Sequence, residues 1–206
     1  MKKNSGNNFS SLISISIPLI LSACIQFVAV NNFFFYDDFL YLYNAANMSL
    51  DRYLFTTYGG HIAPFFKLVF YFFYKFFGIN SQFYFLVLLI LHLVNVALVY
   101  KIILFFHNNR NAAIFFSTLW GISPINQGAI GWFCSFGYIV VSFFLLLIIY
   151  DVIRIRTSKI RIDFIMFLKW FVIMHLAAMT TTVGLSIAFS IPIVIYLFLY
   201  NTDYKN

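Results

Sequence analysis

The stretch QFYFLVLLILHLVNVALVYKIILFF, residues 82–106, decides the fold class. A helix needs about 20 apolar residues to cross the hydrocarbon core of a bilayer, and this run is long enough. Similar runs lie on both sides of it. The whole chain is 63% hydrophobic and 9% charged, whereas soluble domains carry about 25% charged residues. The sequence therefore predicts an all-α polytopic membrane protein.

The apolar runs predict about six transmembrane helices in a single membrane domain, residues 1–206. The predicted spans are 10–30, 82–106, 112–125, 130–150, 164–180 and 184–200. The first run is longer than a signal-peptide core, so an uncleaved helix is favoured over a cleaved signal. A short turn is predicted at NQGAIGW, residues 126–132, and TTTVG, residues 180–184, separates the last two spans.

An outer loop, residues 31–81, connects the first two spans. Within it, residues 64–77 read PFFKLVFYFFYKFF and end at Gly78. This run is short for a span, and its lysines and tyrosines are typical of an amphipathic helix that lies in the membrane interface.

Basic residues predict the orientation, because cytoplasmic loops of membrane proteins are enriched in Lys and Arg. With the N-terminus in the cytoplasm, only three of the 13 Lys and Arg residues, Arg52, Lys67 and Lys75, lie on the outer side. This asymmetry favours two cytoplasmic termini in a bacterial inner (plasma) membrane. It also explains the net charge of +7 without a nucleic-acid partner.

The stretch NNFFFYDDFLYLYN, residues 31–44, carries the candidate chemistry of the outer loop. It places Asp37 and Asp38 side by side in a chain with six acidic residues. Apolar surroundings and a like charge both raise a carboxyl pKa towards the range of a general base. The alternative is a pair of solvated loop charges. Adjacent side chains point in different directions, so we do not expect both to serve one reaction.

Other polar residues of the outer loop are candidates for binding a phosphate. His61, in YGGHIAP (58–64), could bind phosphate or shuttle protons, and Lys67 could pair with a lipid phosphate. An interface histidine and a snorkelling lysine are the alternatives. No GxxxxGK or GxGxxG motif occurs, so no nucleotide cofactor is predicted and an outer donor would be lipid-linked. A divalent metal stays open, although Asp51 is the only further outer acid and a cage of protein ligands alone is not expected.

The order of several motifs resembles the N-terminal part of the GT-C superfamily of membrane glycosyltransferases. This superfamily includes protein O-mannosyltransferases and bacterial enzymes that use polyprenyl-phosphate sugars. The first-loop acidic pair YDD is followed by GGHIAP, FGIN and LHLVNVALVY. The positions that fall into the family's order are Pro64, Gly78, Asn80, His92, Asn95, Tyr100, Pro124 and Trp132.

The resemblance implies sugar transfer from a polyprenyl-phosphate donor to a glycan, lipid or protein acceptor on the extracytoplasmic face. It implies that Asp37 or Asp38 acts as the base. The donor would lie near the 64–77 helix, which makes Tyr36, His61 and Lys67 the candidate substrate-binding residues.

The sequence also departs from the family pattern. Ala63 stands where many relatives have Arg, and TTTVG (180–184) stands where they have an acidic residue. The family's core module has seven spans, and six are predicted here. These departures keep a second interpretation open, in which the chain is a non-catalytic accessory subunit, a translocator of lipid-linked sugars or an inactive fragment. A compact member completed by a partner subunit is a further alternative.

Overall fold

The computed structural model describes residues 5–58, 62–158 and 162–200, and these residues are helical with short connections. The α-helices are α1 (Ser5–Gln26), α2 (Asp37–Asn47), α3 (Leu50–Phe55), α4 (Pro64–Phe77), α5 (Ser81–His107), α6 (Arg110–Gly121), α7 (Pro124–Gly131), α8 (Phe136–Ser158), α9 (Phe164–Ala178) and α10 (Thr182–Tyr200). Short 3₁₀ turns at Phe27–Asn31 and Phe133–Ser135 follow α1 and precede α8. The predicted all-α fold class is confirmed.

Three helical segments among the described residues are long and apolar enough to cross a membrane. They are Ile13–Asn31, Ser81–His107 and Phe133–Thr157. Two shorter apolar helices, Phe164–Ala178 and Thr182–Leu197, follow them. Segments of this length and composition are what an integral membrane protein requires.

Helix α5 is the centre of the assembly and packs against α1, α6 and α8. It is apolar on all sides, which is typical of a helix surrounded by other helices or by lipid. Asn108 takes a left-handed backbone conformation at its end, with φ 46°. The next helix begins at once, because the Asn109 side chain accepts hydrogen bonds from the amides of Asn111 and Ala112.

The turn predicted at NQGAIGW is wrong, because most of this stretch belongs to α7. Pro124 occupies the first turn of that helix, where its missing N–H does no harm. The Ser123 hydroxyl caps the same end by accepting from the Ile125 amide at 3.4 Å. Helices α6 and α7 are therefore two short helices separated by the break at residues 122–123.

The outer-loop region contains α2, α3 and α4. Helix α4 has the predicted bounds and ends at Gly78, whose φ of +57° favours glycine. Aromatic side chains join α4 to the start of α8: Phe66 stacks on Phe136 with 4.5 Å between ring centroids, and Phe70 meets Phe133 at 4.7 Å. This packing fixes α4 against the beginning of α8.

Candidate active site at Asp37 and Asp38

Asp38 lies fully buried at the start of α2, with 0% of its surface exposed. Its carboxylate accepts hydrogen bonds from two backbone amides, Phe35 N at 3.0 Å and Cys134 N at 2.7 Å. Burial raises the pKa of Asp38, and these hydrogen bonds oppose the rise. Asp38 therefore links the start of α2 to the turn before α8, which lies 96 residues further along the chain.

Asp37 has a different environment from its neighbour. It is half-buried and lines a cavity of about 510 Å³. Its Oδ1 accepts a hydrogen bond from the Tyr58 hydroxyl at 2.7 Å. That bond to a carboxylate raises the pKa of Tyr58, because it favours the protonated phenol. The ring of Tyr58 packs edge-on against Tyr41 with 5.2 Å between centroids.

The cavity is lined by four separate segments of the chain. They are the start of α2, Tyr58 with residues 62–66, residues 132–138, and the turn between α9 and α10. Asp37 is the one charged residue among the described lining residues. The rest are apolar, aromatic or hydroxyl-bearing; the aromatic and hydroxyl-bearing ones are Tyr41, Tyr58, Phe66, Trp132, Ser135, Tyr138, Thr180, Thr181 and Thr182.

Close backbone packing brings the threonine turn to the cavity. Gly137 allows this, since a Cβ at that position would lie 2.5 Å from Thr181 Cγ2 and 3.2 Å from Thr180 Cγ2. The Phe65 amide donates to the Met179 carbonyl at 3.2 Å and so ties α4 to the same turn. The threonine turn, which lines the cavity, is thus held by two contacts between distant segments.

Of the predicted substrate-binding residues, the structure describes Tyr36 and Lys67, and these two differ strongly in exposure. Tyr36 is 74% exposed, with φ 52°, next to Asp37. Lys67 is only 2% exposed, and its ammonium group donates to the Thr56 carbonyl. Burial lowers the pKa of Lys67. Neither residue lines the cavity, and His61 lies outside the described residues.

Sequence reasoning missed several residues that surround Asp37. Tyr58 begins the YGGHIAP stretch, and Thr180 to Thr182 lie at the predicted helix break, so local signals marked both regions. No local signal places either of them against Asp37. Tyr138 was not predicted, and Trp132 was named only for its position in the motif order. Trp132 Nε1 donates to the Phe35 carbonyl at 3.2 Å across 97 residues.

A second polar group, the Gly121 cluster, consists of Gln26, His92 and Gly121. His92 Nε2 lies 2.9 Å from the Gly121 carbonyl oxygen, and Gln26 Nε2 donates to the same oxygen at 3.0 Å. Both side chains are fully buried. The nearby Asn95 donates to the Ile139 carbonyl at 3.0 Å. These bonds join helices α1, α5, α6 and α8, as buried polar groups in membrane proteins commonly do.

Within residues 5–58, 62–158 and 162–200, no three His, Cys, Asp or Glu side chains are grouped so that they could hold a metal ion. No family model matches the sequence, and no curated protein and no solved structure is detectably similar to it. The functional interpretation therefore depends on the chemistry of the cavity and on the motif order in the sequence.

Proposed function

We propose that the protein is a glycosyltransferase that moves a sugar from a polyprenyl-phosphate donor to a hydroxyl-bearing acceptor, with Asp37 as the general base. The observation that carries the proposal is the position of the Asp37 carboxylate in a cavity of about 510 Å³. The order of YDD, GGHIAP and LHLVNVALVY, which resembles GT-C glycosyltransferases, supports the reaction class.

The proposed reaction needs one base and one leaving group. The acceptor hydroxyl attacks the anomeric carbon of the donor sugar, a new C–O bond forms, and the bond from that carbon to the phosphate oxygen breaks. Asp37 takes the hydroxyl proton, and polyprenyl phosphate leaves with the bonding electron pair. Since Tyr58 already holds Oδ1 of Asp37, Oδ2 is the oxygen that accepts this proton. A base must lie within about 2.6–3.2 Å of the hydroxyl that it deprotonates.

The lining of the cavity suits a sugar and a prenyl chain. The aromatic faces of Trp132 and Tyr138, which line the cavity, would pack against the C–H face of a sugar ring. The hydroxyl groups of Ser135 and Thr181 can exchange hydrogen bonds with sugar hydroxyls. Tyr138 and Leu185 are 52% and 47% exposed, and these side chains would border the prenyl chain where it leaves the cavity for the bilayer.

We further propose that the cavity lies on the extracytoplasmic side of the membrane. Six spans with both termini in the cytoplasm of a bacterial cell place the start of α2 on the extracytoplasmic side of the inner membrane. Helix α4 then lies in the interface, which its exposed Phe72 and Phe76 support. A lipid-linked donor suits this side, where cytosolic nucleotide sugars are absent.

A transfer assay with labelled polyprenyl-phosphate sugars tests the proposal. Membranes that contain the wild type, Asp37→Asn or Asp51→Asn are compared at equal amounts of inserted protein. Asp51 is the matched control, because it is an exposed acid on α3 and does not line the cavity. We expect Asp37→Asn to lower the transfer rate about 10²- to 10⁴-fold, as loss of a general base does, and Asp51→Asn to leave it unchanged.

Two outcomes would overturn the proposal. Wild-type transfer by Asp37→Asn would remove the assigned base. No transfer by the correctly inserted wild type, across donors that differ in sugar and in lipid length, would instead favour an accessory or translocating role.

A further inference from the structure

We propose that Tyr58 and Lys67 are positioning residues for Asp37: Lys67 fixes the chain at Thr56, and Tyr58, two residues later, orients the Asp37 carboxylate. These two contacts would serve the proposed sugar transfer, so the inference rests on that function. Its geometric part concerns contacts that exist without substrate and can be tested without a transfer assay.

Tyr58 acts on one oxygen of Asp37. Its hydroxyl donates to Asp37 Oδ1 at 2.7 Å, across 21 residues of sequence. The Tyr58 ring is held in turn by Tyr41, edge-on at 5.2 Å. A carboxylate with one oxygen fixed in this way presents its other oxygen in a defined direction, which a general base requires.

Lys67 acts on the backbone just before Tyr58. Its ammonium group donates to the Thr56 carbonyl and lies 5.9 Å from the centre of the Tyr53 ring. The Thr56 amide and hydroxyl donate to the Arg52 carbonyl at 3.0 and 2.6 Å, so Thr56 closes the end of α3. Carbonyl groups at a helix C-terminus carry partial negative charge and attract a cation. The ammonium group therefore holds the segment that leads to Tyr58.

The burial of Lys67 distinguishes it from a snorkelling lysine. A snorkelling lysine keeps its ammonium group exposed, whereas Lys67 is 2% exposed. Burial of a charged group is costly unless it finds a partner. Lys169 pairs with Asp151 in a salt bridge, whereas the ammonium group of Lys67 meets a carbonyl. Such an environment suits a structural contact of the site better than a free phosphate-binding group.

Lys75 provides a matched control on the same helix. It is exposed, and its ammonium group lies 5.2 Å from the centre of the Tyr71 ring. Lys67 and Lys75 thus share helix α4, charge and an aromatic neighbour. They differ in burial and in the bond to the backbone carbonyl before Tyr58. A comparison of Lys67→Met with Lys75→Met therefore distinguishes loss of the contact before Tyr58 from loss of a positive charge on α4.

The kinetic test is a double-mutant cycle with Lys67→Met and Tyr58→Phe. Methionine keeps an unbranched apolar chain of similar length and removes a charge whose burial is costly, so we expect Lys67→Met to fold. We expect each single variant to lower kcat on the order of 10- to 100-fold, as misplacement of a reacting group does, with the KM for the donor unchanged. The double variant should be no slower than the slower single variant, since both act through one contact. Lys75→Met should match the wild type.

An opposite kinetic result would identify Lys67 as a donor-binding residue. In that case Lys67→Met raises the KM for the donor, and its effect adds to that of Tyr58→Phe. Additive effects with a raised KM would overturn the positioning proposal.

The second readout does not need activity. The titration of Tyr58 is followed by ultraviolet difference spectra between each protein and its Tyr58→Phe version, because the chain has 14 tyrosines. The groups that face Tyr58 are Asp37, Tyr36, Tyr41 and Cys134. The hydrogen bond to Asp37 raises the pKa of Tyr58, so Asp37→Asn and Lys67→Met should both move the titration to lower pH. Lys75→Met should leave it in place.

The kinetic cycle and the Tyr58 titration together distinguish the positioning proposal from the proposed glycosyltransferase function. Shifted titration without transfer by any protein would support the contacts and reject the glycosyltransferase function. An unchanged Tyr58 titration in Lys67→Met would overturn the positioning proposal, whatever the transfer rate.

Discussion

The Asp37 cavity and the Gly121 cluster both collect polar side chains among apolar helices, but they differ in what those side chains can still do. In the Gly121 cluster, His92 and Gln26 are fully buried and both bond to one backbone carbonyl. In the cavity, Asp37 bonds to Tyr58 and borders about 510 Å³ of open volume. A polar residue within a helical membrane protein therefore indicates a site only where a cavity gives it access to a ligand.

The same contrast separates two adjacent residues. Asp38 is buried and accepts from two backbone amides, Phe35 N and Cys134 N. Asp37 is half-buried and faces the cavity. The acidic pair thus combines one group that holds the backbone and one that is available for chemistry.

Removal of the Asp38 carboxylate should have the largest effect on stability. Asp38→Ala leaves two backbone amides, Phe35 N and Cys134 N, without their acceptor. A fully buried group without a partner costs about 1–3 kcal/mol, so two of them would cost about 2–6 kcal/mol. Because these two amides are only partly buried, we expect a loss of about 2–4 kcal/mol in the free energy of unfolding. Unfolding of the purified protein in detergent measures it. The exposed Asp51→Ala is the control, and equal losses in the two variants would contradict the structural role of Asp38.

A side chain at Gly137 should disturb the cavity wall. In Gly137→Ala the new methyl group would meet Thr181 Cγ2 at 2.5 Å, and overpacking of this kind costs about 1–3 kcal/mol. We expect lower stability and slower transfer, because the threonine turn must move. Gly128→Ala is the control, since nothing lies within 4 Å of a Cβ there and alanine favours the helix. Wild-type transfer by Gly137→Ala would show that the turn does not shape the site.

Loss of a Gly121-cluster bond should affect stability alone. In His92→Leu, the Gly121 carbonyl keeps Gln26 as a donor, and interhelical hydrogen bonds in membranes contribute about 0.6–2 kcal/mol. We expect a decrease of that size in the free energy of unfolding. The transfer rate per folded molecule should equal that of the wild type. A rate that falls at unchanged stability would make the cluster part of the functional site.

The pH dependence through Asp38 should be the smallest effect. Burial raises the pKa of Asp38 above 3.8, the value for an unperturbed side chain, so the folded protein binds this proton more tightly than the unfolded chain. The resulting stabilisation is complete below the unfolded pKa and is lost as the pH rises through the folded value. Wild-type Tm should therefore fall relative to that of Asp38→Asn, which lacks this titration, as the pH rises. A constant difference between the two proteins would contradict the raised pKa.

Local sequence signals predicted the helix boundaries that depend on single residues. Pro64 and Gly78 predicted both ends of α4, because proline suits the first helical turn and glycine accepts the positive φ after the last one. The same logic failed at NQGAIGW, where glycines favoured a turn and the Ser123 cap with Pro124 starts a helix. Helices α2 and α3 were not predicted. The buried positions of α2, Asp38, Leu42 and Ala45, are spaced as on one face of a helix, but one of them is an aspartate, which interrupts the apolar pattern.

Long-range contacts could not be predicted from one sequence. The sequence identified Asp37 and Asp38 as candidates, because they are adjacent acidic residues in the predicted outer loop. Which aspartate faces a cavity depends on Cys134, whose amide lies 96 residues away from Asp38. Tyr58 reaches Asp37 across 21 residues, and Thr181 enters the cavity from the end of α9. These contacts result from packing between helices, and no spacing rule in the sequence encodes them.

The division of roles between the two aspartates is tested most directly by Asp37→Asn and Asp38→Asn, purified and reconstituted in lipid with a donor that the wild type accepts. Single-turnover transfer per folded molecule is measured beside the unfolding temperature of each variant. We expect Asp37→Asn to lose transfer at an unchanged unfolding temperature. We expect Asp38→Asn to unfold at a lower temperature and to retain transfer in the folded fraction. The reverse pattern, in which Asp38→Asn loses transfer without loss of stability while Asp37→Asn remains active, would contradict the assignment of Asp37 as the base.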